Sequence, residues 1–140
     1  MYTLTLQPGI ETAQTGGKAA NLGRALDLGL RVPPAFVVTR EALACFLAET
    51  GLTGQVHDYL QGSRLQDRAA RRQAFAELSA AVLAAPVPQA LLEEVHAQAA
   101  ALLAGAPAGL AVRSSATQED SAAASFAGMY ESVLGVTSPA

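Results

Sequence analysis

An alanine-rich middle section with helical patterning separates two ends of different character. Across residues 69–104 the apolar residues recur at helical spacing, and Arg, Gln, Glu and Pro interrupt the alanines. At residues 2–6 threonine alternates with larger apolar residues, and residues 109–112 form a short apolar run, so both ends favour strands. Helices in the middle with strands at both ends predict a mixed α/β (α+β) fold.

Glycine marks the ends of the first two predicted helices. A helix is predicted to begin near Gly17, and Gly29 follows its last apolar position, as C-terminal glycine caps do. Residues 35–38 are interpreted as a short buried strand, and Thr39 is the predicted N-cap of the next helix, which Gly51 ends.

Two longer helices are predicted further on. Ser63 begins a capping box that opens a helix running to about Ala84. Pro88 suits the first position of the following helix, which Gly105 closes. The charged residues of these helices are interpreted as solvated faces without chemistry. A last strand is predicted at 131–136.

Composition narrows the class of protein. In 140 residues, 51% hydrophobic and 15% charged residues are enough for one domain with a core. A net charge of −3 argues against nucleic-acid binding, which needs clustered basic charge. The single cysteine allows no internal disulfide, and neither a signal peptide nor a membrane-spanning run is recognisable. We therefore predict a cytoplasmic protein with neither nucleic-acid nor membrane partners.

Lys18 follows Gly16 and Gly17 at a predicted helix start. A cation there faces the positive end of the helix dipole, at a cost of roughly 0.3–1 kcal/mol, which a bound phosphate would reverse. The residues leave two interpretations open, a phosphate-binding lysine and a solvated lysine after a turn. A Walker A loop is excluded, because Ala19 and Thr12 stand where that motif needs Ser or Thr and Gly.

Arg113 ends the apolar run at 109–112 and precedes a series of hydroxyl groups, Ser114, Ser115 and Thr117. A guanidinium binds phosphate oxygens in pairs, and small hydroxyls add hydrogen bonds. An ion pair with the carboxylates at 119–120 is an equally good interpretation, and it would be compatible with an arginine oriented for a ligand.

A glycine-bearing segment at 125–128 has the composition of a loop that closes over phosphates, although this pattern alone is weak. No group of His, Cys and acidic residues has the spacing of metal ligands, so no metal site is predicted within the chain.

Four segments resemble, in order, the ATP-binding domain of the phosphoenolpyruvate synthase and pyruvate phosphate dikinase family. GGKAANLG at 16–23 resembles the family's GGKxANL, and VPPAFVVT at 32–39 resembles VPPGFVVT. AVRSSATQED at 111–120 resembles AVRSSATxED, and SFAGMYESVLGV at 125–136 resembles SFAGxxxTxLxV. One such segment could arise by chance, whereas four in the same order are specific.

The resemblance implies an ATP-grasp-like lobe of a dikinase, most similar to phosphoenolpyruvate synthase, in which ATP phosphorylates a histidine on another domain. It implies that Lys18 and Arg113 act on the ATP phosphates as the catalytic pair and that a loop around Gly128 covers those phosphates. The residues assigned to the site are Gly16, Gly17, Lys18, Arg113, Ser114, Ser115, Thr117, Ser125 and Gly128. ATP and magnesium are the implied cofactors, with the magnesium ligands expected outside this chain. The implied partners are ATP and the remaining domains of a parent enzyme.

Three positions depart from the family pattern: Ala35 replaces a glycine, Met129 a glutamine and Ser132 a threonine. We expect these changes to be tolerated. Because the family's domain is longer, residues 1–140 are expected to be its truncated N-terminal part and inactive alone. The alternatives are a rifamycin phosphotransferase-like enzyme, a stand-alone non-catalytic nucleotide-binding module, and a helical interaction domain without a nucleotide role.

Overall fold

Two short antiparallel sheets and six helices make up the part of the chain that the computed structural model describes, residues 1–62, 67–115 and 132–138. In chain order the elements are β1 (Thr3–Thr5), α1 (Thr12–Thr15), α2 (Gly17–Asp27), β2 (Phe36–Val38), α3 (Arg40–Glu49), α4 (Thr53–Gln61), α5 (Arg68–Ala84), α6 (Gln89–Leu103), β3 (Leu110–Arg113) and β4 (Ser132–Val136). The predicted mixture of helix and strand is confirmed. An ATP-grasp-like arrangement stays a prediction.

The chain divides into two compact units. One comprises Met1–Ala42 with Ala90–Ala140, and the other comprises Leu43–Gln89. The first unit holds both sheets together with α1, α2 and nearly all of α6.

In the first unit, β1 pairs with β2 in antiparallel register, with Leu4 opposite Val37. Hydrogen bonds of 2.9 Å from Leu6 N to Ala35 O and from Thr39 N to Tyr2 O extend the pairing at both ends. The expectation that the strand at 35–38 is buried is wrong, since Val38 is 50% exposed. The physical reason is that a two-stranded sheet is too narrow to enclose both of its faces.

The C-terminus of α2 has the predicted glycine cap. Gly29 takes a positive φ of 73°, and its N–H donates to Leu26 O at 2.9 Å while Leu30 N donates to Ala25 O at 3.0 Å. This pair of bonds is the Schellman motif, which satisfies carbonyls that the helix leaves unpaired.

The second unit contains the same cap and one helix that the sequence did not indicate. Gly51 N donates to Ala48 O and Leu52 N to Leu47 O, which ends α3 as predicted. Helix α4 then fills a stretch for which no element was predicted. Ser63 lies outside the described residues, and α5 begins at Arg68, where the Asp67 side chain accepts the Ala69 N–H at 2.8 Å.

The buried apolar residues are mostly small. Among the described residues the buried apolar positions are Ala19, Ala20, Ala42, Leu52, Leu91 and Ala99. No large side chain among them is fully buried, so the core contains fewer bulky apolar side chains than the composition suggested. Small units have too much surface for their volume to enclose bulky side chains completely.

Helix α6 is fastened to β1 by Glu94. Its carboxylate accepts the Tyr2 N–H at 2.9 Å, the Thr3 N–H at 2.6 Å and the Thr3 hydroxyl at 2.7 Å. The Thr3 hydroxyl, followed by the Tyr2 amide, holds the pKa of the Glu94 carboxyl below its ordinary value. Glu94 therefore contradicts the interpretation of the α6 charges as a solvated face.

The longest helix within the described ranges is α5, with 17 residues. No single helix there is long and apolar enough to cross a bilayer, and only α5 and α6 taken together, across the break between them, reach that length and composition.

Candidate phosphate-binding site

Gly16 joins α1 to α2 in a backbone conformation that favours glycine. Its φ of 82° and ψ of 171° lie outside the regions open to residues with a Cβ. The Gly16 N–H donates to Thr12 O at 2.9 Å, and the Gly16 carbonyl accepts from Ala20 N at 3.2 Å. One residue thus ends α1 and begins α2, and the chain changes direction there.

Ser115 supplies the capping oxygen that Gly16 lacks. A helix usually begins with a residue whose side chain accepts the N–H of the second or third helical residue. Here the Ser115 Oγ accepts the Ala19 N–H, the third of α2, at 3.1 Å. The same hydroxyl donates to Thr15 O at 2.7 Å. A serine nearly one hundred residues away in sequence therefore caps the helix.

The backbone of Ser115 also occupies the space that a Gly16 side chain would need. A Cβ on Gly16 would lie 1.7 Å from the Ser115 carbonyl oxygen and 2.8 Å from Ser115 Oγ. Non-bonded atoms do not approach so closely. The glycine at 16 is thus required by its φ and by its contact with Ser115, in addition to any role toward a ligand.

These contacts bring the two predicted segments together. Gly17 is buried and is the first residue of α2, and Lys18 follows it, half-buried, in the first turn. Arg113 is the exposed last residue of β3, and Ser114 follows it half-buried. Since Arg113 lies two residues before Ser115, its Cα is within about 7 Å of the Ser115 Cα.

Three further predicted site residues belong to the segment between Ser115 and β4. Thr117, Ser125 and Gly128 lie outside the described residues, as do the carboxylates at 119–120 that were considered as partners of Arg113.

The charge distribution at this corner is suited to an anion. The first turn of α2 contains no acidic residue, although its partial positive charge favours one, and it contains Lys18 instead. Arg113 adds a second cation on the strand that is fastened to this helix start. The phosphates of a nucleotide fit such a set of groups: a helix N-terminus, a lysine and a guanidinium.

Two participants were missed by the sequence interpretation, the Thr15 carbonyl and the Ala19 amide. Thr15 is buried, and its hydroxyl donates to Glu11 O at 2.8 Å, which fixes the last turn of α1. The sequence did contain one indication of such a cap. A helix that begins with glycine has no capping side chain of its own, so the capping group must come from another part of the chain.

No metal centre is apparent in the described ranges 1–62, 67–115 and 132–138, where no three His, Cys, Asp or Glu side chains are grouped to hold an ion. Magnesium stays an implication of the resemblance.

Comparison with known proteins agrees with the resemblance. Residues 12–140 match the family model described as pyruvate phosphate dikinase, AMP/ATP-binding domain. The match covers most of the chain, and the chain belongs to this family.

The curated relatives include phosphoenolpyruvate synthases and a rifampicin phosphotransferase. A probable phosphoenolpyruvate synthase of Methanocaldococcus jannaschii is 37% identical over 124 residues, which is 86% of this chain and 10% of the relative. The phosphoenolpyruvate synthase of Neisseria meningitidis is 36% identical over 133 residues, 90% of this chain and 17% of the relative. A rifampicin phosphotransferase of a Streptomyces species is 40% identical over 127 residues, 89% of this chain and 14% of the relative. The chain therefore spans less than a fifth of the length of each of these relatives.

Proposed function

We propose that this chain forms the part of an ATP site that binds the nucleotide's phosphates, with Lys18 and Arg113 as the binding cations. The observation that carries the proposal is the junction of Ser115 with the start of α2. It joins a helix N-terminus bearing a lysine to the segment that follows a strand end bearing an arginine.

The two cations have different physical roles. The Lys18 ammonium is a compact point charge, which offsets phosphate charge without fixing its orientation. The Arg113 guanidinium presents paired N–H donors, which fix the orientation of a phosphate group. Together they would neutralise and position the phosphates during phosphoryl transfer, where positioning and electrostatics supply most of the catalysis.

In the complete reaction the chain acts as the N-terminal part of an ATP-grasp-like domain in a dikinase. ATP supplies the phosphoryl group, a histidine on another domain receives it, and magnesium is bound by residues elsewhere. The phosphoenolpyruvate synthase relatives support this proposal, as does their greater length.

The second candidate is an enzyme that phosphorylates a rifamycin-type antibiotic. The 40% identity to the Streptomyces rifampicin phosphotransferase favours it. Both candidates use the same ATP phosphates and differ in the acceptor. Phosphorylation of pyruvate or of rifampicin by the polypeptide that carries this chain distinguishes them.

The test is ATP-dependent autophosphorylation of the polypeptide that carries residues 1–140 together with any further domains encoded with them. Lys18→Ala and Arg113→Ala should each lower the rate about 100-fold or more, as removal of a transition-state donor does. Arg31→Ala is the matched control, since it removes an exposed arginine that follows α2 and should leave the rate unchanged. Near-normal rates in both test variants would contradict the proposed roles.

A further inference from the structure

We propose that Ser115 is a positioning residue, which holds the start of α2 and the end of β3 as one body and does not itself bind phosphate. This inference rests on the proposed function, because the groups positioned are Lys18 and Arg113. It reassigns a hydroxyl that the sequence pattern had placed among the phosphate ligands.

The hydrogen bonds of Ser115 Oγ are the first argument. The hydroxyl hydrogen is given to Thr15 O at 2.7 Å, and one oxygen lone pair receives the Ala19 N–H at 3.1 Å. A hydroxyl has only one hydrogen to donate, and a phosphate oxygen is only an acceptor. Ser115 would have to release Thr15 before it could donate to phosphate.

The burial of the partners is the second argument. Thr15 and Ala19 are both buried, so a released carbonyl or amide would be poorly hydrated. Leaving such a group without a partner is unfavourable, and the unfavourable free energy keeps the Ser115 hydroxyl where it is.

The fit of Gly16 against Ser115 is the third argument. The Ser115 carbonyl lies where a Cβ of residue 16 would be, so the two backbones touch directly. Contact at the backbone leaves no flexible side chain to absorb movement. A displacement of Arg113 along β3 would therefore be transmitted to the first turn of α2 and to Lys18.

The test combines amide hydrogen exchange with binding of inorganic tripolyphosphate, both followed by NMR on the 140-residue chain. Ser115→Ala should raise the exchange rate of the Ala19 amide about fivefold, the change in equilibrium that loss of a typical cap produces. It should also weaken tripolyphosphate binding by about the same factor. Ser115→Thr retains the hydroxyl and should recover most of both properties.

Asp67→Ala is the control for a general loss of stability. It removes a helix cap from α5, in the other compact unit, and should leave the affinity for tripolyphosphate unchanged. A double variant that combines Ser115→Ala with Lys18→Ala distinguishes positioning of Lys18 from a purely structural role, because the effect of Ser115→Ala on tripolyphosphate affinity is then measured with and without Lys18. If Ser115 acts by positioning Lys18, Ser115→Ala should weaken binding much less once Lys18 has been removed.

The wild-type chain gives a further result that needs no variant. Protection of the Ala19 amide should persist when tripolyphosphate is saturating. Loss of that protection on binding would mean that the hydroxyl turns to the phosphate, and it would overturn the inference. Unchanged Ala19 exchange in Ser115→Ala would also overturn it. Failure of the wild-type chain to bind tripolyphosphate would overturn the proposed function, and with it the claim that Ser115 positions phosphate-binding groups. The exchange rate of the Ala19 amide would still show whether Ser115 caps α2.

Discussion

At the scale of single residues, Gly16 has the most demanding environment in the described part of the first unit. It combines a positive φ with a backbone contact that excludes a Cβ. Gly29 offers a comparison, because it has nearly the same φ, but a Cβ added to it would meet no atom within 4 Å.

Gly16→Ala should therefore be more destabilising than Gly29→Ala. A left-handed conformation costs an alanine roughly 1–2 kcal/mol, which should be the whole effect at Gly29. At Gly16 the clash with Ser115 should add about 1–3 kcal/mol, the usual range for overpacking. Urea unfolding of both variants checks this, and equal losses of stability would show that Ser115 does not press against Gly16.

Glu94 is a second residue whose role can be tested by substitution, because its carboxylate accepts backbone N–H groups of β1. Glu94→Gln removes the negative charge and replaces Oε2, which accepts the Tyr2 N–H at 3.0 Å, by an NH₂ group that can only donate, so the free energy of unfolding at neutral pH should fall. Glu11→Gln, at an exposed position whose side chain makes no capping hydrogen bond, is the control and should change stability much less.

The pH dependence of this effect has a definite sign. Because folding lowers the Glu94 pKa, its contribution to stability is present above the unfolded-state pKa and is lost as the pH falls through the lower folded-state pKa. The wild type should lose stability more steeply than Glu94→Gln in acid, and the two curves should converge at low pH. Parallel curves in a pH series of urea unfolding would contradict the contact.

At the scale of elements, the two ends of α2 show which helix caps a sequence pattern can predict and which it cannot. Its C-terminal cap was predictable, because the glycine and its hydrogen-bond partners all lie within a few residues. Its N-terminal cap was not, because the capping serine follows β3 and only the tertiary fold brings it near. The same limit applies to Glu94, whose role depends on β1 lying beside α6.

Helix α5 provides a test of capping that is independent of the candidate site. Asp67→Ala removes the oxygen that accepts the Ala69 and Ala70 N–H groups. The substitution should lower the free energy of unfolding by about 1 kcal/mol. Asp67→Asn keeps an acceptor oxygen and should restore most of that loss. Hydrogen exchange at the Ala69 and Ala70 amides reports on the cap directly, and unaltered exchange in Asp67→Ala would show that α5 begins elsewhere.

At the scale of the whole molecule, the sequence predicted the order of elements and the family better than it predicted the core. Local periodicity indicates where helices and strands lie, whereas burial depends on how the elements pack. Val38, Leu134 and Phe75, each an apolar residue in a strand or helix, are all half exposed or more. Conversely, the two segments that the family resemblance singled out at 16–18 and 113–115 are joined in space, although about one hundred residues separate them.

The central claim, that phosphate binds at the start of α2, can be tested at one atom. Lys18 is the only lysine in the sequence, so selective ¹⁵N-lysine labelling gives a single backbone amide signal, which lies in the first turn of α2. ATP and inorganic tripolyphosphate should both shift this signal in a saturable manner, and adenosine at the same concentration should not. An Arg113→Ala chain should need more tripolyphosphate to reach the same shift, and an Arg31→Ala chain should not. A Lys18 signal that tripolyphosphate leaves unmoved, or that adenosine moves equally, would contradict the account.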